Sequence, residues 1–312
     1  MPKLKLPDIE KVVAIDIHTH AFPPRVIERR EDLVATEPTF AEIYGNPDAK
    51  MATAEDVLAS MDQAGVDRSV ICNFAWRSEV LVEATNDYLI EWGQRSKGRL
   101  LPFVSMYFPP DVGAHGRAEM EEAPSGAKRG VRERIRDLAA AGARGIGELR
   151  PESSGYSLGD SDEADLLAWA AAAFDLVLLV HASEPVGHHY AGKQGGPIDG
   201  IAAFARNATG VNVIAAHWGG GLPFFALMPE VREALEQVWF DTSASHLLYD
   251  DAVYRRVIDL VGVEKILWGS DFPLTTQAKA LDRTRAAEMS DGERAAILGG
   301  NAAALLGLGA AI

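Results

Sequence analysis

The chain has 312 residues, of which 47% are hydrophobic and 24% charged, a composition typical of a globular protein with ample core material. Its formal net charge of −15 argues against nucleic acid as a partner, because phosphates require a basic surface. Cys72 is the only cysteine, so no disulfide within the chain is expected. No apolar stretch approaches the roughly 20 residues of a membrane span, and Met1–Glu10 has no signal-peptide core. The sequence therefore predicts a cytoplasmic protein without a membrane partner.

Strand-like and helix-like segments alternate along the chain. Capping residues mark several helix boundaries, among them Thr53 and Ser161 at starts and Gly65 and Gly142 at ends. Apolar runs predict strands over 12–20, 68–74, 100–106, 143–149, 176–181, 211–217, 238–241 and 265–271. Periodic segments predict helices over 80–94, 132–141, 162–174, 198–207 and 251–261, others ending near Gly65 and Leu235, and a helical region from Gln277 onward.

Three segments are predicted to be irregular. Residues 21–50 contain Phe22-Pro23-Pro24, 111–130 are rich in glycine, proline and charge, and 183–197 form a long loop after the fifth predicted strand. Long loops that follow strands are often functional, so the first and third are candidates for covering a site.

Eight strand–helix units indicate an α/β protein with a parallel sheet. An open doubly wound sheet is the competing architecture. The number of units, and the polar residues that end so many strands, favour a (β/α)₈ TIM barrel. We therefore predict a single domain over residues 1–312, with the C-terminal helices packed outside the barrel.

The first predicted strand ends in two histidines, His18 and His20. Side chains alternate along a strand, so Asp16, His18 and His20 are expected to point the same way. Two imidazoles on one face can bind one metal ion. Taken alone, the pair is explained equally well by histidines that only satisfy hydrogen bonds at a strand end.

Later strands end in residues of the same chemical kind. Barrel enzymes place their active sites at the C-terminal ends of the strands. Most of these residues end apolar runs, and ionisable groups are rarely buried without a partner. Their convergence predicts a metal centre built from His18, His20, Glu148, His181, His217 and Asp271.

The motifs around these residues resemble a known family. They are Asp16-x-His18-x-His20, the isolated His181, His217 followed by Trp218-Gly219-Gly220-Gly221, and Gly269-Ser270-Asp271-Phe272-Pro273. Together they resemble the amidohydrolase superfamily, and most closely its amidohydrolase-2 branch of aminocarboxymuconate-semialdehyde decarboxylase-like proteins. The resemblance covers nearly the whole chain.

The resemblance implies a barrel with a divalent metal ion, most often zinc. It implies that His18, His20, His181 and Asp271 hold the metal. It assigns His217 as a catalytic acid or base, or as the residue that polarises a substrate carbonyl. It also implies a homodimer.

Glu148 departs from the decarboxylase-like pattern, whose members do not rely on a glutamate there. Gly147-Glu148 instead resembles TatD-like metal-dependent hydrolases, in which the matching glutamate helps to hold a second metal ion. No lysine ends the fourth predicted strand, so a carboxylated-lysine bridge is not expected. A plain ion pair with Arg150 is the alternative explanation. We expect one ion and leave a second open.

These residues predict an enzyme that acts on a small carboxylated molecule. Zinc lowers the pKa of bound water from ~15.7 to ~7, so that hydroxide forms at neutral pH. Asp271 would accept the proton of that water, and His217 would stabilise the oxyanion that develops on the substrate. This predicts a hydrolase of an amide, lactone or ester bond. The alternative is a non-oxidative decarboxylase of an aromatic or unsaturated acid, and Glu148 favours the hydrolase. A purely structural zinc site would not need His217 in addition to its ligands.

Substrate-binding candidates come from the predicted loops. Arg150 offers a planar fork suited to a carboxylate, and His188 and Lys193 could meet an anionic group. Trp218 could supply an apolar wall, together with Phe224 and Phe225. No role is predicted for His115 or His246.

Overall fold

The computed structural model describes residues 13–108, 130–193 and 198–308. Within these ranges eight parallel strands form one sheet in which each strand pairs with the next along the chain. The strands are β1 (Ile15–His20), β2 (Arg68–Cys72), β3 (Leu100–Val104), β4 (Gly145–Leu149), β5 (Val177–Val180), β6 (Val213–Ala215), β7 (Val238–Asp241) and β8 (Ile266–Leu267). The irregular segment predicted over 111–130 lies outside the described residues, except Gly130.

Helices lie between the strands and after β8. They are α1 (Pro24–Glu28), α2 (Arg30–Thr36), α3 (Pro38–Tyr44), α4 (Ala54–Ala64), α5 (Glu79–Arg95), α6 (Val131–Ala141), α7 (Pro151–Ser154), α8 (Asp162–Phe174), α9 (Ile198–Asn207), α10 (Pro229–Ala234), α11 (Ser245–Leu248), α12 (Val253–Val261), α13 (Gln277–Ala286), α14 (Asp291–Ala295) and α15 (Asn301–Leu305). A helical turn at Ala216–Gly219, 3₁₀ segments at Leu222–Phe225, Leu235–Gln237 and Val263–Lys265, and a π-helical turn at Ala296–Gly300 complete the order.

Backbone hydrogen bonds join the last strand region to β1 and close the sheet into a barrel. The amide of Ile17 donates to the carbonyl of Trp268 at 2.9 Å, and the amide of His20 donates to the carbonyl of Phe272 at 2.7 Å. The amide of Asp271 donates back to the carbonyl of His18 at 2.9 Å. The predicted (β/α)₈ barrel is therefore confirmed, and the chain after β8 lies directly beside the two histidines.

Alternate strand residues face the helices or the barrel interior. On the outside, Ile71 packs with Val57 and Met61 of α4. Inside, the strands contribute a separate apolar cluster that includes Ile15, Ile17, Val70, Leu101, Phe103, Val177, Leu179, Ile214 and Leu267. Ala302 and Leu306 join this interior cluster, so the last helix closes the barrel base. The C-terminal helices were predicted to pack outside the barrel; Ala302 of α15 contacts the interior cluster at its base.

The π-helical turn before α15 packs tightly against the start of β1. A Cβ atom at Gly299 would lie 2.1 Å from the carbonyl oxygen of Val13, whereas one at Gly292 would meet nothing within 4 Å. We therefore expect Gly299→Ala to lower the free energy of unfolding by about 1–3 kcal/mol, as overpacking usually does. Urea denaturation measures this, with Gly292→Ala as the matched control. Equal stability of the two variants would contradict the packing described.

The predicted irregular segment 21–50 is largely helical, because it contains α1, α2 and α3. Its prolines suggested chain breaks, but Pro24 and Pro38 occupy first-turn positions of α1 and α3. Proline is tolerated there, since the first-turn amides have no partner within the helix. The predicted capping of α4 by Thr53 is confirmed by a reciprocal bond with Asp56.

None of the helices in the described part of the chain has the length and apolar character needed to cross a bilayer. The cytoplasmic location and the homodimer stay predictions.

Candidate metal centre and cavity

His18 and His20 lie side by side at the end of β1. Their Nε2 atoms are 3.2 Å apart. Nδ1 of His18 is 2.9 Å from the carboxylate of Asp241, and Nδ1 of His20 is 3.1 Å from the carbonyl oxygen of Asn73. A carbonyl and an ionised carboxylate can only accept, so Nδ1 is the donor in both rings. Nε2 is therefore the atom that each ring offers to a metal ion.

Asp16 does not share the face of these histidines. Its carboxylate accepts hydrogen bonds from the hydroxyl of Ser270 at 2.6 Å and from the amide of Gln277 at 2.9 Å. The pairing of β1 with β2 shifts register between Asp16 and Thr19, which interrupts the strand alternation. The prediction of a common face for Asp16, His18 and His20 is wrong for this reason.

Glu148, at the end of β4, is the carboxylate at the centre of the histidine cluster. One of its oxygens lies 2.9 Å from Nδ1 of His181 and 3.5 Å from Nε2 of His217. The same oxygen is 3.7 Å from Nε2 of His18, and the other oxygen is 3.8 Å from Nε2 of His20. Glu148 is therefore a member of the cluster, whereas the carboxylate found near Arg150 is that of Glu42, at 3.9 Å.

Gly147 allows β4 to carry Glu148 into this position. Its φ is +155°, and a Cβ atom there would lie 2.5 Å from the carbonyl oxygen of Leu179 in β5. The structure shows that any side chain at this position would push β4 away from β5 and displace the carboxylate.

Asp271 and His217 follow β8 and β6, each with a positive φ, of 61° and 56°. One carboxylate oxygen of Asp271 lies 3.3 Å from Nε2 of His20 and 3.9 Å from Nε2 of His18. Nδ1 of His217 donates to the hydroxyl of Ser243 at 2.8 Å. As in the other two rings, Nε2 of His217 is left facing the cluster.

Asp241 organises two of these histidines, and no role was predicted for it. One of its oxygens accepts from His18, and the other accepts from the amide of His217 at 2.9 Å and from the hydroxyl of Ser243. A hydrogen-bond chain thus runs from His217 through Ser243 to Asp241. The sequence did contain a signal, since Asp241 ends an apolar strand as Asp271 does.

Charges within the cluster oppose the effect of burial. Burial by itself lowers the pKa of His18, but the neighbouring carboxylates, Asp241 first among them, raise that pKa to about 10. Burial raises the pKa of Glu148, yet His181 and the other imidazoles hold it well below its usual range. The pKa of Asp241 is also lowered, by His18, against the effect of burial. The carboxylates are therefore ionised, and the cluster requires cations, either protons or a metal ion.

The donor atoms fit a divalent metal ion. Ligand atoms of His18, Glu148 and His217 lie within 4.8 Å of one another, as do those of His18, His20 and Cys72. Imidazole nitrogen and carboxylate oxygen are common ligands of zinc and similar ions. His181 differs, since Nδ1 binds Glu148 and its Nε2 lies 3.0 Å from the hydroxyl of Ser183.

A cavity of about 450 Å³ opens above the cluster. His20, Glu148, His181, His217 and Asp271 line its inner end. Its apolar lining is formed by Ile43, Tyr44, Phe74, Leu247, Leu248, Pro273 and Leu274. Ile43 and Tyr44 belong to α3, within the segment 21–50 that was predicted to cover a site. Leu247 and Leu248 belong to α11, which was not predicted to do so, because its apolar residues resemble ordinary core residues.

The predicted substrate-binding residues divide into two groups. Arg150 is buried and lines the cavity, and His188 lines it from an exposed position. Lys193 does not line it, because its ammonium donates to the carbonyls of Val186 at 2.7 Å and of His188 at 3.0 Å. The prediction for Lys193 is therefore wrong: the residue holds its own loop together.

Trp218 is a core residue, and its predicted role in substrate binding is also wrong. It is fully buried, its indole donates to the hydroxyl of Ser245 at 2.7 Å, and its ring packs edge-on against Tyr254. Its positive φ of 57° turns the chain away from the strand direction. Phe224 and Phe225 are partly exposed and do not line the cavity. His115 lies outside the described residues.

The fold resembles that of several solved structures, two of which are decarboxylases. The 5-carboxyvanillate decarboxylase of Sphingomonas paucimobilis has a TM-score of 0.73 at 16% identity, over 95% of this chain and 99% of that chain. A dihydroxybenzoic acid decarboxylase of a Polaromonas species, with bound manganese and 2-nitroresorcinol, has a TM-score of 0.70 at 15% identity. The match covers 96% of this chain and 98% of that chain. The Metarhizium anisopliae IDCase has a TM-score of 0.65 at 22% identity, over 95% and 97%.

At these identities the structural similarity shows the fold alone. No curated protein sequence matches this chain. The sequence model of the amidohydrolase family, however, matches residues 15–308. That range runs from the start of β1 to the segment that closes the barrel base, and it contains every residue of the histidine and carboxylate cluster. The chain belongs to the amidohydrolase family.

Proposed function

We propose that this protein is a metal-dependent, non-oxidative decarboxylase of a small aromatic carboxylic acid. The observation that carries the proposal is a cavity with metal-ligand side chains at its inner end and apolar and aromatic side chains around it. A flat aromatic acid suits this combination of one polar end and apolar walls. The similar folds of decarboxylases that act on dihydroxybenzoate and 5-carboxyvanillate support the same choice over the hydrolase expected from the sequence.

One divalent ion is proposed to be held by His18, His20 and Asp271 together with Glu148, and by His181 once its Nε2 leaves the hydroxyl of Ser183. Zinc was the expected ion, and manganese is the ion bound in the Polaromonas decarboxylase. When bound, such an ion supplies a Lewis acid that orients and polarises an acidic substituent of the substrate. The imidazoles need no rearrangement of their tautomers to accept it, because Asp241 and Asn73 already hold the Nδ1 hydrogens of His18 and His20.

Decarboxylation breaks the bond between the ring carbon and the carboxylate, and carbon dioxide leaves. The electron pair stays on the ring carbon, which must receive a proton. We propose that Nε2 of His217 donates this proton, since the ring lines the cavity and its Nδ1 is held by Ser243. The Asp241 carboxylate at the end of that chain stabilises the protonated ring, which regains its proton from water after turnover.

Hydrolysis is the second candidate, and the position of Glu148 favours it. A buried carboxylate among four imidazoles could accept a proton from an attacking water or help to hold a second ion. In that reaction Asp271 would accept the water proton and His217 would stabilise the oxyanion.

A substrate panel distinguishes the two reactions. Protein loaded with manganese or zinc is expected to release carbon dioxide from 2,6-dihydroxybenzoate, 2,3-dihydroxybenzoate or 5-carboxyvanillate, with the decarboxylated phenol in equal amount. His217→Asn should lower this rate about 10²–10⁴-fold without loss of metal, because it removes the proton donor. Chromatography of the products and elemental analysis measure both results. Hydrolysis of ester, lactone or amide substrates, with all the acids unchanged, would contradict the proposal.

A further inference from the structure

Arg150 is a buried cation that the protein leaves incompletely paired. It is 3% exposed, and its Nη2 donates to the carbonyl of Gly192 at 2.7 Å. The Glu42 carboxylate is 3.9 Å away, too far for a hydrogen bond, and also accepts from the hydroxyl of Ser153 at 3.0 Å. Among the described residues, Nε of Arg150 has no hydrogen-bond partner. A buried guanidinium in this state is stabilised by an anionic ligand.

Arg150 lies in the same cavity as the metal-ligand cluster. It follows Glu148 by two residues, directly after the end of β4. Both residues line the cavity. The cavity therefore has a buried cation in addition to its metal-ligand side chains, and so two places for negatively charged groups.

An aromatic side chain lies beside the space between these two ends. The ring centroid of Phe74 is 6.0 Å from Cζ of Arg150, and Phe74 and Tyr44 both line the cavity. Aromatic rings pack well against such side chains in offset or edge-on geometry. The surroundings suit a planar molecule with an anionic group at each end.

We propose that Arg150 forms a second anion subsite, and that the substrate is an aromatic acid with two anionic groups. One group is directed to the cluster of His18, His20 and Asp271, and the other to the guanidinium of Arg150. This inference rests on the proposed decarboxylase function for the identity of the substrate, but the subsite itself is defined by the cavity.

A different role for Arg150 would be purely structural, through its bond to Gly192. That bond attaches the 183–193 loop to the end of β4. It uses only one of the five N–H groups of the guanidinium and does not involve Nε. A structural role predicts that removing Arg150 weakens every ligand of the cavity equally, whereas a subsite predicts a selective effect on ligands with two charges.

Calorimetry can distinguish the structural role of Arg150 from the subsite by measuring the affinities of the manganese-loaded protein for benzoate and for isophthalate. Wild-type protein is expected to bind isophthalate about 10- to 100-fold more tightly than benzoate, as one charge-assisted, two-pronged contact provides. Arg150→Gln should abolish that preference and leave benzoate binding and metal content close to wild type. Arg150→Lys should retain part of the preference, because it keeps the charge but not the fork.

Lys193→Gln is the matched control, since it removes a positive charge that holds the same loop without lining the cavity. It should change the affinities for both probes by the same factor. Equal binding of the two probes to wild type, or an equal loss of both in Arg150→Gln, would overturn the subsite. Because the calorimetry measures binding and not turnover, an Arg150-dependent preference together with inactivity toward every acid would refute the decarboxylase proposal alone.

Discussion

Replacing His18 with alanine is expected to empty the metal centre. The wild-type protein should contain roughly one divalent ion per chain, and His18→Ala should bind it more than about 100-fold more weakly. The reason is that Nε2 of His18 lies within 4 Å of His20, Glu148 and Asp271, so its loss leaves the remaining ligands without a common centre. Elemental analysis after purification without added metal measures the content, and competition with a fluorescent chelator measures the affinity.

Loss of the metal ion should also lower the thermal stability of the folded protein. An ion present at 100 times its dissociation constant stabilises the folded state by about 2.7 kcal/mol, and a chelator removes that contribution. The midpoint temperature of thermal unfolding should therefore fall when EDTA is added to the wild-type protein. The midpoint of His18→Ala should not change. His189→Ala is the control, because His189 is exposed and does not line the cavity. Metal content at the wild-type level in His18→Ala would contradict the assigned centre.

Replacing Asp241 with asparagine is expected to impair both metal binding and catalysis, although Asp241 does not line the cavity. Its two oxygens accept hydrogen bonds from His18, His217 and Ser243. An amide has one acceptor oxygen, so its NH₂ group must face one of these donors. If it faces His18, the ring hydrogen moves to Nε2, the atom that should bind the metal. We expect metal affinity to fall about 10- to 100-fold and carbon dioxide release up to about 10⁴-fold.

Ser243→Ala separates the two effects. It removes the hydroxyl that links the His217 ring to Asp241, and leaves the bonds from His18 and from the His217 amide intact. It should lower the rate of carbon dioxide release while the metal affinity stays at the wild-type value. The assignment of Asp241 as a positioning residue for both rings would be wrong if Asp241→Asn bound metal as tightly as wild type.

The sequence could predict those site residues whose identity and strand position both carry information. His18, His20, Glu148, His217 and Asp271 end predicted strands, and a barrel brings the ends of its strands to one mouth. The structure places all of these residues in one cluster. Asp241 also ends a predicted apolar strand, so the same reasoning could have identified it.

Other residues could not be placed from the pattern, because local geometry overrides it. A one-residue register shift in β1 separates Asp16 from the histidines that follow it. A positive φ at Trp218 turns the indole into the core, and the ammonium of Lys193 folds back onto loop carbonyls. The spacing of residues in the sequence does not reveal such local changes of direction. The predictions made for these three side chains were therefore wrong.

The sequence by itself determined the barrel and the kind of chemistry at its mouth, because strand periodicity and strand-end residue types are local properties of the chain. Only the tertiary structure decided which atoms face each other. Asp241 acts on His18 from 223 residues away, and the cavity wall combines α3 with α11 across the barrel mouth. Such contacts depend on how distant segments pack, and the shared role of Glu148 among four imidazoles became visible only there.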